Sequence, residues 1–237
     1  PLSSAMLVPN DHVYGLAKAH PDIFSWACSV NPYRRDACEE LERCHKLGAR
    51  VVKWLPNSML IDPADAACDG FYACCARLGM ALLCHTADET SVDFLGARVR
   101  NELGNPLRLR RALDAGVRVI AAHCASEGKQ QDDAVRRSGA LTPGLADLRP
   151  ICLLARAGPV PGQGAWRPCH ELLFEMMERD EWKELLFADI SALILFRRLH
   201  VLVELLARPA LFPRLVFGSD YPVPALGGRA IGLKPQP

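Results

Sequence analysis

Two hydrophobic rhythms alternate along the chain. Short, nearly continuous apolar runs occur in "DIFSWACSVNP" (22–32), "RVVKWLP" (50–56), "ALLCHT" (81–86), "RVIAAHCAS" (118–126), "LFADIS" (186–191) and "RLVFGSD" (214–220). Longer stretches of helical composition lie between them. "RRDACEELERCHKLGA" (34–49) closes with Gly48 near its end, and "PADAACDGFYACCARLGM" (63–80) carries Gly70 inside and Gly79 at its end. "NPLRLRRALDAGV" (105–117) starts with Pro106 and ends at Gly116. "CHELLFEMMERDEWKELL" (169–186) and "LILFRRLHVLVELLARP" (193–209) complete the set. Proline near a helix start and glycine past its end are the expected punctuation. Strands without polar alternation are buried on both faces, which is the signature of a parallel sheet flanked by helices. An open doubly wound sheet and a (β/α)8 barrel both satisfy this alternation. No GxGxxG follows the first run, and the glycines of "GPVPGQG" (158–164) are wrongly spaced for a dinucleotide loop. Residues 127–168 read as a long irregular insertion, either a variable segment or a lid over a site.

Composition narrows the class. With 237 residues, half of them apolar, the chain suits one domain with a substantial core. A net charge of +1 gives no broad attraction to nucleic acid or to an anionic membrane. The basic run "LRLRRAL" (107–113) reads as a solvated helix face. Ten cysteines form no CxxC, and Cys28, Cys84 and Cys124 sit inside apolar runs, where cysteine behaves as a small hydrophobe. Reduced thiols and a cytoplasmic protein are therefore expected. The most apolar helical stretch (192–207) is interrupted by Arg197, Arg198 and His200, so no membrane span is expected. The sequence begins at Pro1, so a targeting segment upstream is not readable.

Candidate chemistry gathers at the carboxyl ends of the predicted strands. Lys53, His85, His123 and Asp220 each stand there, at the edge where parallel α/β folds bind ligands. Strand alternation predicts that Val51, Ala81, Leu83, Val119, Ala121, Val216 and Gly218 share the inward face with them. Each of the four also has an ordinary reading: a hydrogen-bonded core histidine, a lysine reaching solvent, an aspartate capping a turn. Their recurrence at one edge favours a site. Imidazole nitrogen and carboxylate oxygen suit Zn²⁺, or Mn²⁺ as a substitute. Such an ion brings the pKa of bound water from about 15.7 to about 7. Asp220 is then expected to hold the metal and shuttle a proton, and His123 to orient the nucleophile or stabilise oxyanion charge.

The segments "SVNP" (29–32), "GARVVKWLP" (48–56), "LLCHT" (82–86), "GVRVIAAHCAS" (116–126), "LLFADISAL" (185–193) and "VFGSDYP" (216–222) resemble, in order, those of the amidohydrolase superfamily, in its amidohydrolase-related group of metal-dependent hydrolases. The resemblance spans about residues 20 to 224. It implies a distorted (β/α)8 TIM barrel with one or two divalent metals at its C-terminal rim. Lys53 falls on the fourth strand, where some members carry a carbamylated metal-bridging lysine. His85 falls on the fifth strand as a metal ligand, His123 on the sixth, where the family's His binds metal or contacts the reacting group, and Asp220 on the eighth as ligand and proton shuttle. Two departures stand out. The chain has no His-x-His, which ends the family's first strand, and "HTADE" follows the fifth strand where Gly often follows Thr. Strands three to eight are therefore expected, with a truncated N-terminus and an irregular tail at 225–237, within one domain. The expected activity is hydrolysis of a C–N or C–O bond in a small carboxylated or cyclic substrate. A related decarboxylase and a non-catalytic remnant are the alternatives. Members of the group often associate, so a homo-oligomer is expected as well.

Overall fold

All six predicted strands form, and all six join one parallel sheet. The computed structural model describes residues 8–89, 99–132 and 164–221. The strands are β1 (Ala27–Cys28), β2 (Val51–Trp54), β3 (Ala81–Cys84), β4 (Val119–Ala121), β7 (Leu186–Asp189) and β8 (Leu215–Val216), paired in the order β1-β2-β3-β4-β7-β8. A separate antiparallel pair, β5 (Lys129–Gln131) with β6 (Trp166–Pro168), brackets the long insertion. Part of the segment expected to be irregular is therefore a short ribbon. Residues 133–163 of the insertion and the tail 225–237 lie outside the described residues.

Each of the five helical stretches read from composition contains a shorter helix, and two further helices, at 10–19 and 56–59, lie outside those stretches. α1 spans Asn10–Ala19, α2 Ala37–Lys46, α3 Pro56–Met59, α4 Asp69–Leu78, α5 Arg110–Asp114, α6 Cys169–Met177 and α7 Leu199–Leu206. In α2 the buried positions Ala37, Leu41 and Cys44 recur every three to four residues and so make one stripe. The chain leaves α2, α4 and α5 through Gly48 (φ 99°), Gly79 (φ 64°) and Gly116 (φ 80°), the left-handed exits that glycine permits without strain. The predicted helix at 193–209 begins late, because Phe196–Arg198 forms a 3-10 turn first. Among the described residues no helix is long and apolar enough to cross a membrane. The nine cysteines described are all free thiols.

Register decides which side chains share a face. Lys53 pairs with Leu83, Leu83 with Ile120, and Ile120 with Phe187. Trp54, Cys84, Ala121 and Ala188 form the adjacent row. The second row packs into the continuous core with Leu41, Phe71, Tyr72 and Leu173. Trp54 anchors it, fully buried, with its indole N–H donating to the Val30 carbonyl at 2.8 Å and Phe71 at a ring separation of 5.2 Å. The first row is only half-buried. Among the described residues neither β1 nor β8 has a second strand beside it, so this face lacks the closure that would fill it. The expected inward set is corrected in part. Val51, Ala81 and Leu83 share the Lys53 face, but Val119 and Ala121 lie on the helix-packed face, opposite in phase. The reason is that β4 ends at Ala121 and the chain turns before His123, so alternation counted back from the histidine falls out of phase with the strand.

Candidate active site

Among the described residues, most non-glycine positions with left-handed backbone lie at the carboxyl edge of the sheet. His123 (φ 55°), Cys124 (φ 49°) and Ala125 (φ 49°) follow β4, Ala87 (φ 79°) follows β3, Ala192 (φ 59°) follows β7, and Asp220 (φ 53°) follows β8. A non-glycine residue in this region costs about 1–2 kcal/mol, so three in succession need strong tertiary support. Much of it comes from Asp189, the last residue of β7. Its Oδ2 accepts from the His123 backbone N–H at 3.2 Å, and its Oδ1 accepts from the Ser191 N–H at 2.6 Å. Cys124 Sγ donates to the Asp189 carbonyl at 3.3 Å. Asp189 thus ties the β4 turn to β7.

His85 and His123 meet across neighbouring strand ends, with ring centroids 5.4 Å apart and planes inclined at 65°. His123 Nδ1 lies 2.7 Å from Ser191 Oγ. His85 Nε2 lies 3.4 Å from the Asp88 carbonyl and 3.5 Å from Glu89 Oε2. Burial pushes His85 down to about 3, and the cations Lys53 and Arg198 push the same way, while the Asp88 carbonyl and Asp189 oppose them. Burial, then His85, holds His123 at about 4, against the pull of Asp189 and Asp220. Both rings are neutral at pH 7, so the His85–Glu89 contact is a neutral imidazole beside a carboxylate. Burial also lowers the Lys53 ammonium from its usual range, opposed by Cys84, Asp189, Asp220 and Glu89.

The neutral pair makes stability depend on pH. Unfolded histidines bind protons near pH 6.5, whereas these two, folded, bind them only near 4 and 3. Between those values the unfolded chain carries more protons, so stability rises with pH and falls on acidification. Urea midpoints measured from pH 7 to pH 4 are expected to drop, with the two histidines contributing on the order of a few kcal/mol. A His85→Gln variant should show a flatter profile; an unchanged slope would contradict the buried neutral ring.

Lys53, His85, His123 and Asp220 thus occupy one electrostatic neighbourhood, with Asp220 half-buried in the loop beyond β8 rather than on the strand. Among the described residues no three His, Cys, Asp or Glu side chains gather closely enough to hold a metal ion. The donor chemistry fits a divalent ion, since neutral imidazole and carboxylate are its usual partners; a complete donor set is not assembled. Sequence reasoning missed Asp189, Ser191 and Glu89. Asp189 carries the same signal as the four predicted residues, an ionisable side chain at the carboxyl end of an apolar run.

A parallel β/α barrel with ionisable side chains at its carboxyl rim defines the class of protein. The amidohydrolase family model matches residues 6–141, more than half of the sequence, and the chain belongs to that family. No curated protein matches it. Among solved structures it is similar to an uncharacterized TIM-barrel protein from Bordetella bronchiseptica, at 18% identity and a TM-score of 0.60, covering 92% of this chain and 62% of the other. It is similar also to a putative 2-pyrone-4,6-dicarboxylic acid hydrolase from Pseudomonas putida (15%, TM-score 0.55, 90% and 62%). A third is 5-carboxyvanillate decarboxylase from Sphingomonas paucimobilis (11%, TM-score 0.52, 90% and 61%). These likenesses establish the fold as a distorted (β/α)8 barrel, of which the described residues supply six parallel strands. The chain spans less than two thirds of the length of each of these structures.

Proposed function

We propose that the rim formed by Lys53, His85, His123, Asp189 and Asp220 serves a metal-dependent hydrolase of the amidohydrolase type, acting on a small carboxylated or cyclic molecule. The carrying observation is the pair of neutral imidazoles, 5.4 Å apart at adjacent strand ends, beside two carboxylates. His85, His123 and Asp220 would hold the ion, with Lys53 joining as a carbamate. When bound, a divalent ion supplies Lewis acidity and lowers the pKa of water. Lys53, held below its usual pKa, has the larger neutral fraction that reaction with CO₂ requires. His123, locked through Ser191 and Asp189, keeps its remaining ring nitrogen for the ion. Asp220, at the open end of the sheet, takes and returns the proton. The solved relatives include a decarboxylase as well as a putative hydrolase, and a decarboxylase would use the same residues.

A second reading is a non-catalytic barrel segment, favoured by the absence, among the described residues, of a closed three-donor cluster. Metal analysis of the purified protein separates the two. Near-stoichiometric zinc or manganese, lost in the His85→Ala, Asp220→Ala double variant and retained in Cys84→Ala, is expected for the hydrolase. A folded protein that binds neither metal under saturating conditions supports the second reading.

A further inference from the structure

Two thiols from different helices meet across the seam between α2 and α4. Cys38 Sγ donates to the Gly70 carbonyl at 3.5 Å, and Cys74 Sγ donates to the Cys38 carbonyl at 3.9 Å. Gly70 stands one turn before Cys74 in α4, where its carbonyl receives the Cys74 N–H. Each sulfur therefore rests on the backbone of the other's turn, and the two thiols hydrogen-bond one another. Cys38 is partly exposed, whereas Cys74 is buried. Arg77 Nη2 donates to Cys74 Sγ at 3.4 Å and also meets Glu42 of α2. One sulfur thus reaches solvent and the other lies beside a cation, surroundings that favour a thiolate. Burial still raises the Cys74 thiol; Cys38 adds to the rise and Arg77 opposes it. Cys28 and Cys44 make a second pair whose thiols also hydrogen-bond. Both are fully buried, Cys28 Sγ against the Val51 carbonyl at 3.7 Å and Cys44 Sγ against Glu40 Oε1 at 3.5 Å. Access to solvent, not proximity, separates the two pairs.

We propose that Cys38 and Cys74 are an oxidation site, a dithiol that hydrogen peroxide converts into a reversible disulfide clamping α2 to α4. The Cys38 sulfur attacks a peroxide oxygen: an S–O bond forms, the O–O bond breaks, and one water leaves with the thiol proton. The Cys74 sulfur then attacks the sulfenic sulfur of Cys38: the S–S bond forms, the S–O bond breaks, and a second water leaves. Each sulfur gives up one electron, and the peroxide takes both. A thiol reductant reverses the step by exchange at the S–S bond. The core pair Cys28 and Cys44 stays reduced while the protein is folded, because an oxidant must reach a thiolate to react. Helix α2 leads into β2, which bears Lys53, and α4 leads into β3, which His85 follows. The clamp therefore joins the two helices that deliver those strands. It stands apart from the functional reading above and needs neither metal nor substrate.

The test exposes the purified, reduced full chain to hydrogen peroxide, blocks the remaining thiols with iodoacetamide and maps the unreduced digest by mass spectrometry. A peptide pair joining Cys38 to Cys74, lighter by two hydrogens and released by dithiothreitol, is expected in about tenfold excess or more over any other pair. Cys38→Ser and Cys74→Ser should each abolish it. Closure should run several-fold faster at pH 8 than at pH 7, because the attacking species is the thiolate. In urea the preference should vanish, since the two cysteines stand 36 positions apart and only the fold brings them together. The oxidised wild type should melt above the reduced one, and peroxide should give Cys38→Ser no such rise. Three results overturn the proposal: sulfinic or sulfonic acid at Cys38 with no cross-link, linkage of Cys28 to Cys44 in its place, or the same preference in urea as in buffer. All three are read on wild type alone, so a variant that fails to fold does not blunt the test.

Discussion

Replacing Asp189 by alanine is expected to destabilise the protein by about 3 kcal/mol or more, the sum of two hydrogen bonds to a buried carboxylate. Asp189 is 8% exposed, and its two oxygens receive the N–H groups of His123 and Ser191. Alanine leaves both donors unpaired in a place water does not readily reach. It also releases the three left-handed residues His123–Ala125 from the strand that fixes them. Asparagine keeps one acceptor oxygen and should lose about half as much. Urea unfolding of the two variants beside wild type provides the check. Equal midpoints for wild type and Asp189→Ala would mean the turn after β4 is held by something else. The same variant should disturb His123, whose Nδ1 meets Ser191, so anything bound at the rim is expected to weaken with it.

Gly104→Ala is expected to be at least as damaging, about 3 kcal/mol or more, with loss of the folded protein as an accepted outcome. A methyl group at Gly104 runs into the Ala87 carbonyl oxygen and comes within 2.8 Å of Asn57 Nδ2. The obstacle is mainly backbone, which cannot swing aside as a long side chain can. Ala87 is itself left-handed, and its N–H donates to the Gly104 carbonyl at 2.7 Å. Asn57 Nδ2 bonds the Ala87 carbonyl at 3.0 Å. The clash therefore strikes the loop that leads away from His85. Gly70→Ala is the control: Gly70 lies inside α4 with nothing near its absent Cβ. There alanine should stabilise by about 0.5–1 kcal/mol, the helix propensity difference. Thermal melts that rank the two substitutions the other way would contradict this packing.

The amino-acid sequence by itself determined the alternation of strands and helices, the parallel sheet and the edge where ionisable side chains recur. These follow from local patterns: unbroken apolar runs such as 81–84, the stripe Ala37–Leu41–Cys44, and glycine at helix exits. It pointed to Lys53, His85, His123 and Asp220 as one candidate set, because each stands at or just past the carboxyl end of an apolar run. Tertiary structure alone decided the phase of β4, which sets Val119 and Ala121 on the packed face. It decided that His123 lies in a left-handed turn rather than on a strand, and that Asp189 and Ser191 hold it there. Hydrogen-bond register and positive-φ turns depend on partners tens of residues away, Asp189 being 66 positions from His123. No local periodicity encodes that distance. Arg198 shows the same limit: charge predicts a surface residue, and only the packing of the turn against Glu127 buries it.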